Sequence, residues 1–267
     1  MLRLFRQIRQ RLLTNNKFSK YLLYAIGEIL LVVIGILIAL QVNNWNESRK
    51  LRQTELALLG VIYENLTNDL EDFENDLIHL KNRKKACEVL LECAEKDVPY
   101  QDSLAFHLYY TQIYPHFSPN ISGYEMLKSE GIESISNDTL KLAITNLYEY
   151  GYKYLFTWEQ ESIDFNQNIL SPLSRKYLGH TVIKNRAIPK SLDNSRNHLS
   201  LFANSGLVLN ITDFEGLKKD TELLSFWASL RGGSDFLRRI HQETEDDVVN
   251  LIGQLENELN LRKEDSD

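Results

Sequence analysis

The sequence is poor in the residues that end helices and turn chains. Its 267 residues include only 12 glycines and 5 prolines, whereas an average protein has about 7% glycine and about 5% proline. This scarcity speaks against a turn-rich β protein and favours long uninterrupted helices. The sequence therefore predicts an all-α protein.

Cysteine is scarce as well. Two cysteines, Cys87 and Cys93, are too few for a disulfide framework, and their spacing matches neither a zinc motif nor a thioredoxin-type motif. On one helix they would lie about 9 Å apart along the axis and on different faces, too far for a bridge. We expect a buried thiol at 87 and a semi-exposed one at 93, with an intermolecular bridge as the alternative.

Positive charge is missing from most of the chain. The net charge is −7, yet residues 1–46 carry +5, so the other 221 residues carry −12. An acidic body argues against a nucleic-acid-binding domain, because binding to backbone phosphates requires a basic face. We expect no nucleic-acid partner.

A long apolar run lies near the N-terminus. Residues 22–42 include fourteen Leu, Ile or Val, and as a helix they would rise about 31 Å, which matches a hydrocarbon core of about 30 Å. The favourable transfer of these side chains outweighs the cost of Glu28 near one end. A cleaved signal peptide is the competing interpretation, but no small-x-small cleavage site follows. We predict an uncleaved signal anchor.

Charges flanking the run predict its orientation. Six basic residues precede it and three follow it, so the positive-inside rule places the N-terminus in the cytoplasm. In a bacterial inner membrane the body would then be periplasmic or otherwise extracytoplasmic. Tyr21, Tyr24 and Trp45 bracket the run, as expected for aromatic rings at the two headgroup levels. The six preceding basic residues are Arg3, Arg6, Arg9, Arg11, Lys17 and Lys20.

Polar and small residues share one line of the apolar helix. At 100° per residue, Glu28, Gly35, Ala39 and Asn46 fall within about 20° of one line along the helix, and Gly35 and Ala39 form a small-xxx-small pair. This pattern predicts a helix-association stripe for a homo-oligomer or another membrane protein. The alternative is a monomeric anchor with incidental glycines, in which Glu28 snorkels to the headgroups.

The same region carries a family resemblance. The run "YAIGEILLVVIGILIALQVNNWNESRK" at 24–50, preceded by "RLFRQIRQRLL" at 3–13, resembles an uncharacterised family of single-span bacterial inner-membrane proteins, known only as a domain of unknown function. The resemblance is specific over residues 1–50 and looser beyond, through "LKSEGIESISNDTLKLAITNLYEY" at 127–150. It implies an envelope location and a helical extramembrane region, and no established activity.

A heptad pattern follows the apolar run directly. Apolar residues recur at alternating three and four residues, which predicts a helix from about Glu47 to Asp97, continuous with the membrane helix or separate from it. This apolar seam would pack either against other helices of the same chain or against a second chain. The seam residues are Leu56, Leu59, Tyr63, Leu66, Leu70, Phe73, Leu77, Leu80, Lys84, Cys87 and Leu91.

The rest of the body is predicted to be mostly helical. Asp102 or Ser103 would cap a short aromatic helix, and Ser122 with Glu125 resembles a capping box. A long helix would run from Asn137 or Asp138 to a kink or end at Pro172.

Residues 178–212 look like a loop with at most a short helix near Leu199. A last long helix, from Asp213 or Asp220 to Arg262, has a candidate break at Gly232 and Gly233.

Long helices with apolar stripes pack most simply as an elongated antiparallel bundle. The predicted domains are a basic arm (1–20), a transmembrane helix (21–45), a helical domain (46–262) and an acidic tail (263–267).

No catalytic motif is present. The sequence has no HExxH, GxSxG, Walker loop or GxGxxG, so we expect neither an enzyme nor a bound metal or cofactor. His107, Tyr110 and His116 form a candidate ligand pocket within an aromatic segment. The alternative is that these side chains only pack against the neighbouring aromatic rings. His241 falls on the apolar stripe of the last helix and is expected to be buried or flanking.

Two functions fit this pattern. The first is a non-enzymatic membrane-anchored scaffold or partner-binding protein, which the association stripe and the heptads favour. The second is a membrane-tethered sensor or ligand-binding module that acts through a partner, because only about 20 residues precede the membrane run.

Overall fold

The computed structural model describes residues 18–182, 188–193, 195 and 207–264. Within these ranges the protein is all-α apart from one two-stranded sheet, which confirms the predicted class. The helices are α1 (Phe18–Glu95), α2 (Leu104–Gln112), α3 (Ser122–Glu130), α4 (Asp138–Asn146), α5 (Tyr152–Phe165), α6 (Ser171–Ser174), α7 (Phe214–Lys219) and α8 (Thr221–Glu264). Strands β1 (Leu178–Val182) and β2 (Leu207–Ile211) form the sheet.

Helix α1 contains both the apolar run and the heptad region without interruption. No proline occurs before Pro99, so nothing removes a backbone donor from the helix interior. The helix ends close to the predicted point, where Asp97 adopts a left-handed conformation with φ of 52° and Val98 N–H donates to Cys93 C=O at 3.0 Å. This bond satisfies a carbonyl that the helix end would otherwise leave open.

The chain divides into two compact units, residues 1–56 and 57–267. In the first, one helix near the N-terminus is long and apolar enough to cross a membrane, with a mean hydropathy of 2.6 over its most apolar 18 residues and none of that window buried. Trp45 and all four residues of the association stripe are exposed. The side chains of Tyr21 and Tyr24, and residues 1–17, lie outside the described part of the chain.

The second unit has its own core. Residues of α1, α4, α5 and α8 form its largest apolar cluster, and a second cluster lies around Trp227 and the two cysteines. Cys87 is buried as predicted, but Cys93 is only 7% exposed, so its predicted partial exposure was wrong. It belongs to the second apolar cluster, whose other members include Leu90, Leu217 and Trp227.

The buried face of α1 is rotated relative to the predicted seam. Five predicted positions are fully buried, but their partners, such as Tyr63 and Leu70, are only partly buried. The second buried line of α1 instead consists of the residues that come one position before these partners. It repeats every seven residues and includes charged side chains. The first line is Leu59, Leu66, Phe73, Leu80 and Cys87; the second is Glu55, Ile62, Asp69, Asp76, Arg83 and Leu90.

The second long helical region begins where the sequence predicts. The side chain of Asn137 accepts hydrogen bonds from the N–H groups of Thr139 (3.1 Å) and Leu140 (3.2 Å), which is the expected N-cap arrangement. Two π-helical turns, Leu147–Gly151 and Asn166–Leu170, interrupt the α-helical geometry. Pro172 lies at the start of α6, where its missing N–H is tolerated.

Residues 178–212 are the main error of the fold prediction. β1 and β2 pair antiparallel, with Leu178 opposite Ile211 and Val182 opposite Leu207. The five residues of β1, "LGHTV", show no clear alternation of apolar and polar positions, and the partner strand lies 25 or more residues away in the sequence. The short helix predicted near Leu199 lies outside the described residues.

The predicted capping box and the predicted break are wrong, and of the two cap candidates for α2, Ser103 makes no side-chain cap bond. Ser122 is the first helical residue of α3 and not its cap. There Asn65 of α1 accepts the Gly123 N–H at 2.8 Å and so takes the place of a local cap. Helix α8 passes through Gly232 and Gly233 without interruption, because glycine lowers helix stability by only about 1 kcal/mol.

The close approach of α3 to α1 requires glycine at position 123. A Cβ atom there would lie 2.9 Å from both Cγ1 and the backbone N of Ile62. We expect Gly123→Ala to destabilise the protein by about 1–3 kcal/mol, because a backbone atom must move to relieve the overlap. Thermal unfolding of the detergent-solubilised chain measures the change.

Gly253→Ala in α8 is the matched control. Its Cβ would meet nothing within 4 Å, so the higher helix propensity of alanine should leave the melting temperature unchanged or raise it. Equal melting temperatures for Gly123→Ala and the wild type would contradict the packing argument.

Candidate functional site

Besides Glu55, the rotated face of α1 buries three further charged side chains, which follow one another two helical turns apart. Asp69 is completely buried, Asp76 is 8% exposed and Arg83 is 1% exposed. Burying an ion costs several kcal/mol unless partners compensate for its lost hydration. The partners of each side chain therefore indicate whether its role is structural or whether it is poised to bind something else.

Three hydrogen bonds to the Asp69 carboxylate compensate for its lost hydration. One carboxylate oxygen accepts the backbone N–H and the side-chain amide of Asn120, both at 2.8 Å, and the other accepts the Tyr152 hydroxyl at 2.8 Å. Burial raises the pKa of Asp69, while these hydrogen bonds oppose the rise. This residue joins α1 to α5 and to the segment before α3, and its role is structural.

Asp76 lies in a cluster with Glu159 of α5 and His241 of α8. One potential ligand atom from each residue lies within 4.8 Å of the others, and Nε2 of His241 is 3.0 Å from Oε1 of Glu159. Glu159 is 1% exposed and His241 is fully buried. The cluster therefore brings two carboxyl groups and one imidazole from three helices into the core.

The hydrogen-bonding capacity of this cluster is only partly used. Backbone N–H of Phe117 donates to both oxygens of Glu159 at 3.2 Å. Asp76 Oδ2 and both ring nitrogens of His241 have no hydrogen-bond partner among the described residues, since the close approach of His241 to Glu159 lacks hydrogen-bond alignment. Unsatisfied buried polar atoms are rare in native proteins and mark a missing proton, water or ion.

The directions of the pKa shifts in the cluster also indicate a missing proton or ion. Burial raises the pKa of Asp76, although the nearby His241 partly opposes the rise, and burial also raises the pKa of Glu159. Burial lowers the pKa of His241, against the attraction of Asp76. Each group thus resists carrying its own charge in the core, and a bound cation would offset the cost for both carboxylates at once.

The surroundings of the cluster are aromatic. The Phe73 ring contacts the His241 ring edge-on at a centroid distance of 5.9 Å, and Phe73 and Phe117 lie 4.2 Å apart. This apolar shell excludes water and limits the rotation of the imidazole. It also leaves the ligand atoms inaccessible to a large substrate.

The donor set suits a divalent transition metal. Two carboxylate oxygens and one imidazole nitrogen match the preferences of Zn²⁺, Mn²⁺ or Fe²⁺ better than those of Ca²⁺ or Mg²⁺, which favour oxygen ligands alone. Ligands bound at about 2.1 Å lie at most about 4.2 Å apart. The present spread of 4.8 Å therefore requires a small contraction, which side-chain rotation can supply.

The predicted ligand pocket is not one continuous site in the described part of the chain. Tyr110 is buried in a small cluster with Ala86, Phe106 and Leu192, and His107 is buried as well, whereas His116 is exposed. Nδ1 of His107 and the hydroxyl of Tyr110 have no hydrogen-bond partner there. Ligand binding by these residues stays a prediction.

Sequence reasoning placed His241 correctly in the core but missed both carboxylates. Glu159 has no distinguishing motif, because its partners are 42 and 82 positions away. A signal for Asp76 did exist: it stands seven residues from Asp69 and from Arg83, beside the apolar line of α1. Testing both neighbours of that line would have exposed the pattern.

Comparison with known families adds one finding. A family model described as "Family of unknown function (DUF6090)" matches residues 28–204, which is more than half of the chain. The resemblance to an uncharacterised family is thereby confirmed at that level. No curated protein and no solved structure matches the chain.

Burial of His107 predicts a pH-dependent stability. Burial, and secondarily the charge of Lys85, lowers the pKa of His107 to about 4, whereas an unfolded histidine titrates near 6.5. Between these values the unfolded chain binds one more proton, so this residue should destabilise the fold as pH falls below 6.5. The expected loss is about 2 kcal/mol between pH 6.5 and pH 5.

The measurement compares melting curves across this pH range for the wild type, His107→Gln and His116→Gln. His107→Gln should reduce the dependence without abolishing it, since one of two buried histidines with a lowered pKa is gone and His241 remains. His116 is exposed, so His116→Gln should behave like the wild type. An unchanged slope in His107→Gln would show that the imidazole does not titrate as argued.

Proposed function

The chain belongs to the family of unknown function DUF6090, and we propose that it is a single-span membrane-anchored scaffold protein whose extramembrane core is clamped by a divalent metal ion. The metal would bind Asp76, Glu159 and His241. The observation that carries the metal proposal is the burial of these three groups together with their unsatisfied polar atoms.

The membrane anchor is supported by the exposure of the apolar run. From Leu22 to Val42, thirteen large aliphatic side chains are 44–69% exposed. In water such a surface would be strongly unfavourable, whereas lipid chains would cover it. The six basic residues before the run favour a cytoplasmic N-terminus and an extracytoplasmic body in a bacterial inner membrane.

A structural role for the metal fits the position of the cluster. Its ligands come from α1, α5 and α8, so one ion would add a direct link among three helices that apolar contacts and the hydrogen bonds of Asp69 and Arg83 already join. The ligand residues are at most 8% exposed, whereas a catalytic metal keeps a position open to substrate. This geometry supports a non-enzymatic scaffold.

A ligand-binding module that acts through a partner is the second candidate function. It is favoured by a separate cleft beside Arg83. The two roles are compatible, because the cleft and the metal cluster use different side chains.

Metal binding has a direct test. Full-length protein is purified in detergent, stripped with chelator, and titrated with Zn²⁺ and with Mn²⁺, while bound metal is measured by mass spectrometry. We expect one ion per chain and a higher melting temperature. A concentration of 100 times the dissociation constant should stabilise the fold by about 2.7 kcal/mol.

Variants separate this site from adventitious binding. Asp76→Asn and His241→Gln should each lower the affinity more than tenfold, because each removes one of three ligands. Asp72→Asn, which changes an exposed carboxylate one turn earlier on α1, should bind like the wild type. Absence of stoichiometric metal in the wild type, or equal binding by all three variants, would instead favour carboxyl groups that stay protonated.

The scaffold role predicts self-association through the stripe of Glu28, Gly35, Ala39 and Asn46. Gly35→Leu and Glu28→Gln should shift the detergent-solubilised protein to a smaller mass, because they remove close packing and a polar contact between helices. Light scattering with detergent correction measures this mass. The matched control is Gly27→Leu, since Gly27 lies about 80° away from Gly35 around the helix; an equal mass for all variants would refute the stripe.

A further inference from the structure

A cleft of about 230 Å³ lies between α5 and α8, and Arg83 of α1 lines it. We infer that this cleft binds a small monocarboxylate with an apolar body, with Arg83 as the anion-binding group. Three features of the cleft support this inference: the hydrogen-bond partners of Arg83, the side chain of Trp158 and the residues that line the cleft.

Arg83 is a buried cation that is held by neutral groups. Its Nε donates to Ser234 Oγ at 2.8 Å, and Nη1 donates to Ser162 Oγ at 3.1 Å and to Ile113 C=O at 3.4 Å. Among the residues that the structure describes, no carboxylate forms an ion pair with it. Since a buried charge requires compensation, Arg83 has an unused capacity for an anion.

The guanidinium suits a carboxylate in particular. Nη2 makes no hydrogen bond to a described residue, so its N–H groups can donate to a carboxylate, and a hydrogen bond between two charged groups is stronger than one between neutral groups. Ser162 both lines the cleft and holds the guanidinium there. The cation is therefore positioned at the cleft before any ligand arrives.

A second donor lies at the same cleft. The indole Nε1 of Trp158 is buried without an acceptor in the described part of the chain, although buried indole N–H groups usually find one. Trp158 packs edge-on against Phe236 at 4.8 Å, and both rings line the cleft. The two rings thus supply an apolar wall to a ligand, while the shielded indole N–H is an unused donor beside the cleft.

The dimensions and charge of the cleft narrow the ligand class. Its volume is below the roughly 300–1,000 Å³ of pockets for drug-sized molecules, so the ligand must be small. Phe165, Phe236 and Leu237 supply apolar surface for its body. The exposed carboxylate of Glu161 also lines the cleft, which disfavours dianions such as phosphate esters and favours a single negative charge.

The test uses full-length protein in lipid nanodiscs and 4-phenylbutanoate as the probe. Isothermal titration, with empty nanodiscs subtracted, compares this acid with the neutral 4-phenylbutanamide. We expect the acid to bind at least tenfold more tightly than the amide, because only the acid neutralises Arg83. No saturable binding of the acid at millimolar concentration, or equal binding of acid and amide, would overturn the proposal.

Two neighbouring glycines provide matched variants. Gly233 lines the cleft and Gly232 does not, and a Cβ at either position would meet nothing within 4 Å. Gly233→Leu should fill the cleft and reduce acid binding more than tenfold, while Gly232→Leu should bind like the wild type.

Ser229→Phe is a second blocking variant in case Gly233→Leu does not fold. Ser229 is exposed on α8 and lines the same cleft, so this change should spare the core and still reduce acid binding. Circular dichroism checks that each variant is folded. Wild-type affinity in a folded Gly233→Leu or Ser229→Phe variant would place the ligand elsewhere and overturn the proposal.

Discussion

The packing of the second unit, residues 57–267, depends on the cost of burying charge along one line of α1. At intervals of seven residues this helix places Asp69, Asp76 and Arg83 in the core, where each loses its hydration. An apolar side chain at such a position accepts almost any apolar neighbour, whereas an ion requires a specific partner with a specific geometry. The neighbouring helices must therefore supply those partners at matching heights.

Each of the three buried charged side chains contacts a different kind of partner. Asp69 receives three hydrogen bonds from Asn120 and Tyr152, and Arg83 donates to Ser162 of α5 and Ser234 of α8. Between them, Asp76 meets Glu159 and His241. Because α5 contributes at all three levels and α8 at two, these contacts favour one register of α5 and α8 against α1. Hydrogen-bonding groups are left unused around Asp76 and around Arg83, and these are the positions where we propose a metal ion and a carboxylate ligand, respectively.

The two units of the chain differ in where their apolar side chains lie. The apolar run of the first unit exposes aliphatic side chains throughout, whereas the second unit buries most of its large apolar side chains. Charged residues are common on the outer faces of the second unit and need no special partner there. In its core the same residue types are few, so each of them carries information about function.

The sequence by itself determined features that depend on local or one-dimensional patterns. These are the all-α class, the apolar run, the Asn137 cap, the point near which α1 ends and the burial of Leu59, Leu66 and Phe73. Tertiary structure alone decided the pairing of β1 with β2, the capping of α3 by Asn65 and the rotation of the buried face. It also decided the assembly of Asp76, Glu159 and His241. These features join residues that lie tens to more than 150 positions apart, and whether a charged residue can occupy the core depends on which distant groups pack against it.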